Sequence, residues 1–153
     1  GGTMTHISEI IDLFMTLNTD YRLMKIFEMD EDAFTNYVEA WLFLGLALFN
    51  DYRKEQLLVD TDTGEFNEVL SYKDKAVLAQ LMIRFWLEKE VNDVLAMRNL
   101  IQDHDFKTHS AAANLDAKRN LLNQKIEETN KALIDYSFKQ VDWDSWNNQV
   151  FGW

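Results

Sequence analysis

An all-α fold is predicted by three features of this chain: helical spacing of its apolar residues, the absence of proline, and a high apolar content. Hydrophobic residues make up 47% of its 153 residues and aromatic residues 13%, enough to bury a core and too much for a disordered chain. The lack of proline favours long helices. We therefore expect one domain, a bundle of about four principal helices near residues 5–17, 31–53, 71–101 and 110–136.

The helix at residues 71–101 is predicted to be the centre of the bundle. Ser71 can cap its first turn, and Asp74 follows at the spacing of a shortened capping box. Apolar residues then recur at three- and four-residue steps and form a wide aromatic face onto which the other helices can pack. The members of this face are Leu78, Leu81, Met82, Phe85, Trp86, Val91, Val94, Leu95 and Ile101.

The first two helices differ in how their apolar residues are distributed. In the helix at 5–17, with Thr5 as the expected N-cap, the apolar residues form one stripe. In the helix at 31–53, residues 40–49 are apolar almost all round. Such a helix lies either in the middle of its bundle or with one face covered by another subunit. Gly45 is expected to allow a close helix contact.

Residues 56–70 predict a hairpin or structured loop with Gly64 at the tight turn. Asp60, Asp62 and Gly64 partly match a calcium-binding loop, but a third acidic ligand before the glycine and a correctly placed bidentate glutamate are missing. Turn formation is therefore the favoured interpretation, and metal binding the alternative.

The last helix, at residues 110–136, has a narrow apolar stripe formed by Leu115, Leu122, Ile126, Leu133 and Tyr136. We expect one side of this helix to pack and the rest to face water or a partner.

An aromatic C-terminal segment follows and cannot form a core of its own. We divide the chain into residues 1–4, a cloning remnant with the initiator Met4, residues 5–137, the helical domain, and residues 138–153, an extended arm. An aromatic tail either folds back onto its own domain or docks onto another chain, and tryptophan is a favoured binding anchor. The expected partner-binding residues are Phe138, Trp143, Trp146, Val150, Phe151 and Trp153.

The charge is negative and unevenly placed, with a net value of −11. Residues 1–70 contain 14 Asp and Glu against 4 Lys and Arg, whereas residues 71–153 are nearly balanced. An acidic surface repels phosphate, which argues against a protein that binds nucleic acid sequence-specifically. The acidic surface either only increases solubility or lies near DNA without binding it. Cysteine is absent, which fits a reducing compartment, and the most apolar run is too short to span a bilayer.

Residues that could carry chemistry are few. His104 and His109, with Asp103 and Asp105, give a weak metal pattern, because the two imidazoles are poorly spaced on a helix. Arg98, Asn99 and His104 match the short Arg-to-His pattern of the helical ribonucleases of the HEPN superfamily. In those enzymes His would act as general acid or base, and Arg would stabilise the phosphorane. The alternative is that Arg98 pairs with Asp93 or Asp103 and that His104 is a loop residue.

A different resemblance covers roughly residues 75–138. It is carried by Phe85, Trp86 and Leu87 in the central helix, and by a long last helix that closes in Ile134, Asp135 and Tyr136. Between them lies a turn of Asp105, Phe106 and Lys107 with Ser110 and Asn114 after it. This arrangement is similar to the helical head–tail connector adaptors, or head-completion proteins, of tailed phages that infect Gram-positive bacteria.

The resemblance implies a structural virion protein, assembled in the host cytoplasm, with no catalysis and no cofactor. Its subunits would form a ring, commonly a dodecamer, below the portal, where the ring extends the DNA channel. The expected partners are other copies of the chain, the portal protein and tail or stopper proteins, while DNA passes without specific binding and no membrane is involved. The C-terminal arm would bind the portal or a neighbouring subunit. The HEPN-like ribonuclease or toxin using Arg98 and His104 remains the alternative, and a small helical regulator is a third hypothesis.

Overall fold

Four helices and one small hairpin make up the part of the chain that a computed structural model describes, residues 4–18, 30–100 and 109–139. Within these ranges the side chains of residues 33, 94–100, 109–114 and 139 lie outside the description. The elements in order are α1 (Ile7–Leu17), α2 (Glu31–Asn50), β1 (Val59–Asp60), β2 (Glu65–Phe66), α3 (Tyr72–Leu100) and α4 (His109–Lys139). This is the all-α bundle that the sequence predicts, with the hairpin inserted between α2 and α3.

Helix α3 is the centre of the bundle and contacts α1, α2 and α4. In its described part the predicted face is mostly buried: Leu78, Leu81 and Met82 are fully enclosed, Trp86 and Val91 are buried, and Phe85 is half-buried. The side chains of Val94 and Leu95, and Ile101, lie outside the described residues. The predicted cap is also present: the backbone N–H of Asp74 donates to Ser71 Oγ at 3.1 Å, and the backbone N–H of Ser71 donates to the Asp74 carboxylate at 3.4 Å. The helical period of the apolar residues therefore places the core along the part of α3 from Val77 to Val91.

Helices α2 and α4 both run antiparallel to α3. Gly45 of α2 lies against Leu81, where an added Cβ would approach the Leu81 Cβ to 3.1 Å, so the predicted close contact at Gly45 is confirmed. On the other side of α3, Lys118 of α4 contacts Glu90, and Asn130 of α4 contacts Arg84. As a consequence, the C-terminal ends of α2 and α4 lie at the same end of the bundle.

The hairpin is joined to the start of α1. Val59 pairs with Phe66 and Asp60 with Glu65, and Gly64 occupies the turn with a φ of 74°. Backbone N–H groups of Ile7 and Phe66 donate across the junction to Gly64 O (2.9 Å) and Thr5 O (2.8 Å). The hairpin that the sequence predicts is thus confirmed, and the chain before α1 extends it through an isolated bridge between His6 and Glu65.

Three helix ends differ from the predicted bounds by two or three residues: the start of α1, the end of α2 and the end of α4, which is at Lys139 instead of residue 136. The N-cap of α1 is His6, whose Nδ1 accepts from the Ser8 backbone N–H. Thr5, the expected cap, instead accepts a hydrogen bond from the Leu70 backbone N–H at its buried hydroxyl. Helix α2 ends at Asn50 rather than at residue 53, because the Asn50 amide exchanges two hydrogen bonds with the backbone of Leu57 and turns the chain.

Candidate interaction surfaces

The outward side of α2 is an exposed apolar surface, which we call the outer α2 face. Its largest side chains are Tyr37, Phe43 and Leu44, with exposed fractions of 53%, 38% and 52%. The inner side, by contrast, is buried in the bundle, with Val38, Leu42, Leu46 and Phe49 enclosed. The outer α2 face consists of Asn36, Tyr37, Ala40, Phe43, Leu44 and Ala47.

This face contains no charged side chain. Between Asp32 and Asp51 the only charged residue is Glu39, which lies at the half-buried edge. Tyr37 is held in place by Trp41, whose ring stacks on it with centroids 6.4 Å apart and planes at 29°. Exposed apolar surface without charges is typical of a site that binds a protein partner. From its sequence, this helix was predicted to lie in the middle of the bundle or to have one face covered by another subunit. The inner face of α2 is buried in the bundle, whereas the outer α2 face is exposed to solvent.

The end of α4 is fixed to the body before the aromatic tail begins. The Tyr136 ring meets the Phe49 ring edge to face with centroids 5.0 Å apart, and its hydroxyl accepts a hydrogen bond from Arg53 Nη1 at 2.7 Å. Lys73 lies over the same ring at 5.9 Å. Helix α4 then continues beyond the predicted domain boundary to Lys139, so Phe138 is helical, and its side chain is 57% exposed.

Arg53 connects three parts of the chain at this end. Its guanidinium binds Glu68 at 2.7 Å and Asp74 at 3.5 Å, and its Nε donates to the Glu55 carbonyl. Only 6% of the Arg53 side chain is exposed. The guanidinium also lies over the rings of Phe49 and Tyr136. Arg53 therefore positions the last turns of α4 relative to α2 and the hairpin.

Acidic side chains concentrate at the hairpin end. Asp51, Glu55, Asp62 and Glu65 are exposed there together with Lys54, while the nearby Arg53 is buried in its ion pairs. A second acidic group, Glu31 and Asp32, begins α2 at the opposite end of the helix. At the hairpin end, the negative charge predicted from the sequence therefore lies on the surface, where it can repel phosphate.

The Asp60 carboxylate is used within the hairpin turn. Its Oδ1 accepts from the backbone N–H groups of Asp62 (2.9 Å) and Thr63 (3.4 Å), and its carbonyl accepts from Gly64 N–H. This is the turn chemistry that the sequence favours. Within the described ranges no group of three or more His, Asp or Glu side chains is arranged to hold a metal ion.

The structure describes only some of the residues that were predicted to bind partners or to carry chemistry. Phe138 is described and exposed, whereas Trp143, Trp146, Val150, Phe151 and Trp153 lie outside the described residues. His104, Asp103 and Asp105 also lie outside them. Arg98 belongs to α3, but its side chain is not described. Asp93, a suggested partner of Arg98, accepts a hydrogen bond from Lys89 at 2.9 Å, and this contact raises the pKa of Lys89.

A groove of about 450 Å³ lies where α3 and α4 meet the end of α1. Ile83, Trp86 and Leu87 form its apolar floor, and Lys118 and Lys125 lie at its edge. Both amines are engaged, Lys118 with Glu90 at 3.0 Å and Lys125 with Gln80 at 2.7 Å. The groove therefore offers no free pair of lysines for an anion.

The sequence analysis did not identify Arg53 as a structural residue, because nothing in the polar run around it indicates a buried guanidinium.

Comparison of the chain with models of known families, with curated proteins and with solved structures finds no match. No helix in the described part of the chain is long and apolar enough to cross a bilayer. The candidate functional features are therefore three surfaces: the outer α2 face, the exposed end of α4 and the acidic hairpin.

Proposed function

We propose that this chain is a structural protein that assembles into a ring, of the type of the head–tail connector adaptors of tailed phages. In this proposal, residues 138–153 are the assembly arm. One observation carries the proposal: the last turn of α4 exposes Phe138, and a segment with three tryptophans follows this helix in the sequence. Apolar and aromatic side chains in such numbers are stable in water only when a partner or the body covers them.

The described body supports this proposal in a second way. Tyr136 is held by Arg53 and Phe49, so the arm starts from a fixed point at the end of the bundle. A fixed starting point lowers the entropy lost when the arm binds a neighbour. If the same contact joins each subunit to the next, the subunits form a closed ring in which every arm and every binding site for an arm is occupied.

The acidic hairpin supports the proposed DNA channel. Its exposed carboxylates repel the phosphate backbone, so DNA could pass such a surface without being held. In the proposed ring, these groups line or approach the passage. The ribonuclease hypothesis gains no support from the described residues, because the Arg98 side chain and His104 lie outside them.

The experiment that tests the arm compares two triple variants of the full chain by light scattering over a range of concentrations. One variant carries Trp143→Ser, Trp146→Ser and Trp153→Ser. The matched control carries Asn147→Ser, Asn148→Ser and Gln149→Ser, three polar changes in the same segment.

We expect the wild-type chain and the control to form a multiple of the 18.0 kDa subunit, and the tryptophan variant to remain a monomer with unchanged helical circular dichroism. Two results would contradict the proposal: a monomeric wild-type chain at every concentration, or a tryptophan variant that assembles as well as the control.

A further inference from the structure

The outer α2 face has a spacing that matches the arm. Tyr37, Ala40, Leu44 and Ala47 follow one another at steps of three, four and three residues along α2. Trp143, Trp146, Val150 and Trp153 follow one another at the same steps. These steps place residues on one face of a helix, so α2 carries a seam of the kind that pairs two helices, and the arm would present a matching seam if it binds as a helix.

Side-chain size is also complementary between the two seams. On α2, the small Ala40 and Ala47 alternate with the large Tyr37 and Leu44, so a large side chain of a partner can pack beside each alanine. The arm is richest in tryptophan, a large side chain that commonly anchors an interface by filling such places. Neither seam contains a charge, so pairing them would leave no buried ion without a partner.

The direction of the helices indicates which copy of the arm binds there. Helices α2 and α4 run in the same direction, so the arm leaves the body at the C-terminal end of α2. Helix α4 reaches this end on the inner side of α2, since Tyr136 packs on Phe49, which is fully buried. To reach its own outer α2 face, the arm would have to reverse direction and pass around the end of α2 and the segment that follows it.

We propose that the outer α2 face is the docking site for residues 140–153 of a second copy of this chain. The inference rests on the proposed assembly function and specifies where the arm binds. The arm and the face that accepts it are different surfaces of the same subunit, so the contact between two copies is head-to-tail. Subunits joined by such contacts form a closed ring when the rotation between neighbours divides a full turn evenly. Each subunit would donate one arm and accept one arm.

The test uses three full-length proteins and measures their mass by light scattering. Leu44→Asp places a charge on the outer α2 face and should block acceptance. Leu121→Asp is the matched control, because Leu121 has an exposed fraction of 53% against 52% for Leu44 and lines the groove between α3, α4 and the end of α1, not the outer α2 face. The third protein is the tryptophan variant described above, which keeps an intact face and lacks the arm's anchors.

The expected result is that Leu44→Asp weakens assembly at least tenfold, that Leu121→Asp assembles as wild type, and that the tryptophan variant stays monomeric. Mixing the Leu44→Asp protein with the tryptophan variant should produce a two-chain complex, because one supplies the arm and the other supplies the face. Circular dichroism checks that each protein is folded, and Leu44→Ser replaces Leu44→Asp if the latter is not.

Two outcomes separate this inference from the proposed function. If the tryptophan variant loses assembly while both folded Leu44 variants assemble normally, the arm binds elsewhere and the docking site is wrong, although the assembly function stands. If the wild-type chain is monomeric, both are wrong. If the mixed proteins stay apart while each alone is monomeric, docking between copies at this face is contradicted.

Discussion

Arg53 and Tyr136 are 83 residues apart in sequence and joined by a hydrogen bond of 2.7 Å from Nη1 to the phenol oxygen. This bond links the segment after α2 to the end of α4. The same guanidinium contacts the carboxylates of Glu68 and Asp74. One side chain therefore connects the hairpin, the start of α3 and the point from which the aromatic arm leaves.

We expect Arg53→Ala to destabilise the chain by about 3 kcal/mol, because it leaves the buried Asp74 carboxylate without its cation. Tyr136→Phe, which removes only the hydroxyl, should cost about 1–1.5 kcal/mol. Urea unfolding of both variants measures these values.

The control for this pair is Lys89→Ala, which removes the exposed ion pair with Asp93 and should cost less than about 0.5 kcal/mol. If Arg53→Ala were no more destabilising than Lys89→Ala, the central position assigned to Arg53 would be wrong.

The hairpin turn provides a second prediction. Gly64 has a positive φ, and a Cβ there would lie 2.6 Å from His6 Nε2. Gly64→Ala should therefore cost about 2 kcal/mol, from backbone strain together with displacement of the His6 ring.

In a His6→Ala background the ring is absent, so Gly64→Ala should cost less than it does in the wild-type chain. A double-mutant cycle by chemical unfolding measures this coupling. Equal costs in both backgrounds would show that the His6 ring does not crowd the turn.

The capping box of α1 predicts a pH dependence. The His6 backbone N–H and, less strongly, the Lys75 ammonium hold the pKa of the Glu9 carboxyl below its ordinary value. Because the folded-state pKa is depressed, this contribution is complete above the unfolded pKa and is lost as pH falls through the folded pKa.

Glu9→Gln keeps an acceptor for the His6 N–H but removes the charge. We expect its Tm to lie about 1–3 °C below that of the wild type at neutral pH, and this gap to close in acid. Thermal unfolding of both proteins across the acid range measures the gap, and a gap that does not change with pH would contradict the assignment.

The acidic surface predicts an absence of DNA binding. Short duplex DNA should show no measurable affinity for the wild-type chain even at low salt, where attraction to a basic protein would be greatest. As a positive control, Asp51→Lys, Glu55→Lys and Asp62→Lys together should produce weak, salt-sensitive binding. Fluorescence anisotropy measures both, and tight binding by the wild type would count against the proposed channel.

The sequence predicted those parts of the fold that depend on local pattern. The buried face of α3 follows from its helical period, and the hairpin follows from Gly64 and the turn-forming Asp60. It could not predict the end of α2, because Asn50 stops the helix by bonding to Leu57. Nor could it locate Arg53, whose partner Tyr136 is brought to it only by the packing of α4.

The candidate site was predictable to a similar degree. The run of apolar residues in α2 indicated that this helix packs against other helices or another subunit. The spacing of these residues could not distinguish the inner face from the outer one, since apolar residues occur on both. The structure makes that separation through the contact of Gly45 with Leu81. Tyr37, Phe43 and Leu44 are then left on the outside.

Electron micrographs of the full-length chain, purified at high concentration, test the central claim most directly. Arm-mediated assembly predicts closed annular particles with a central opening and one fixed number of subunits. The protein carrying Trp143→Ser, Trp146→Ser and Trp153→Ser should show none. Fields of single, ringless particles from the wild-type chain would contradict the account.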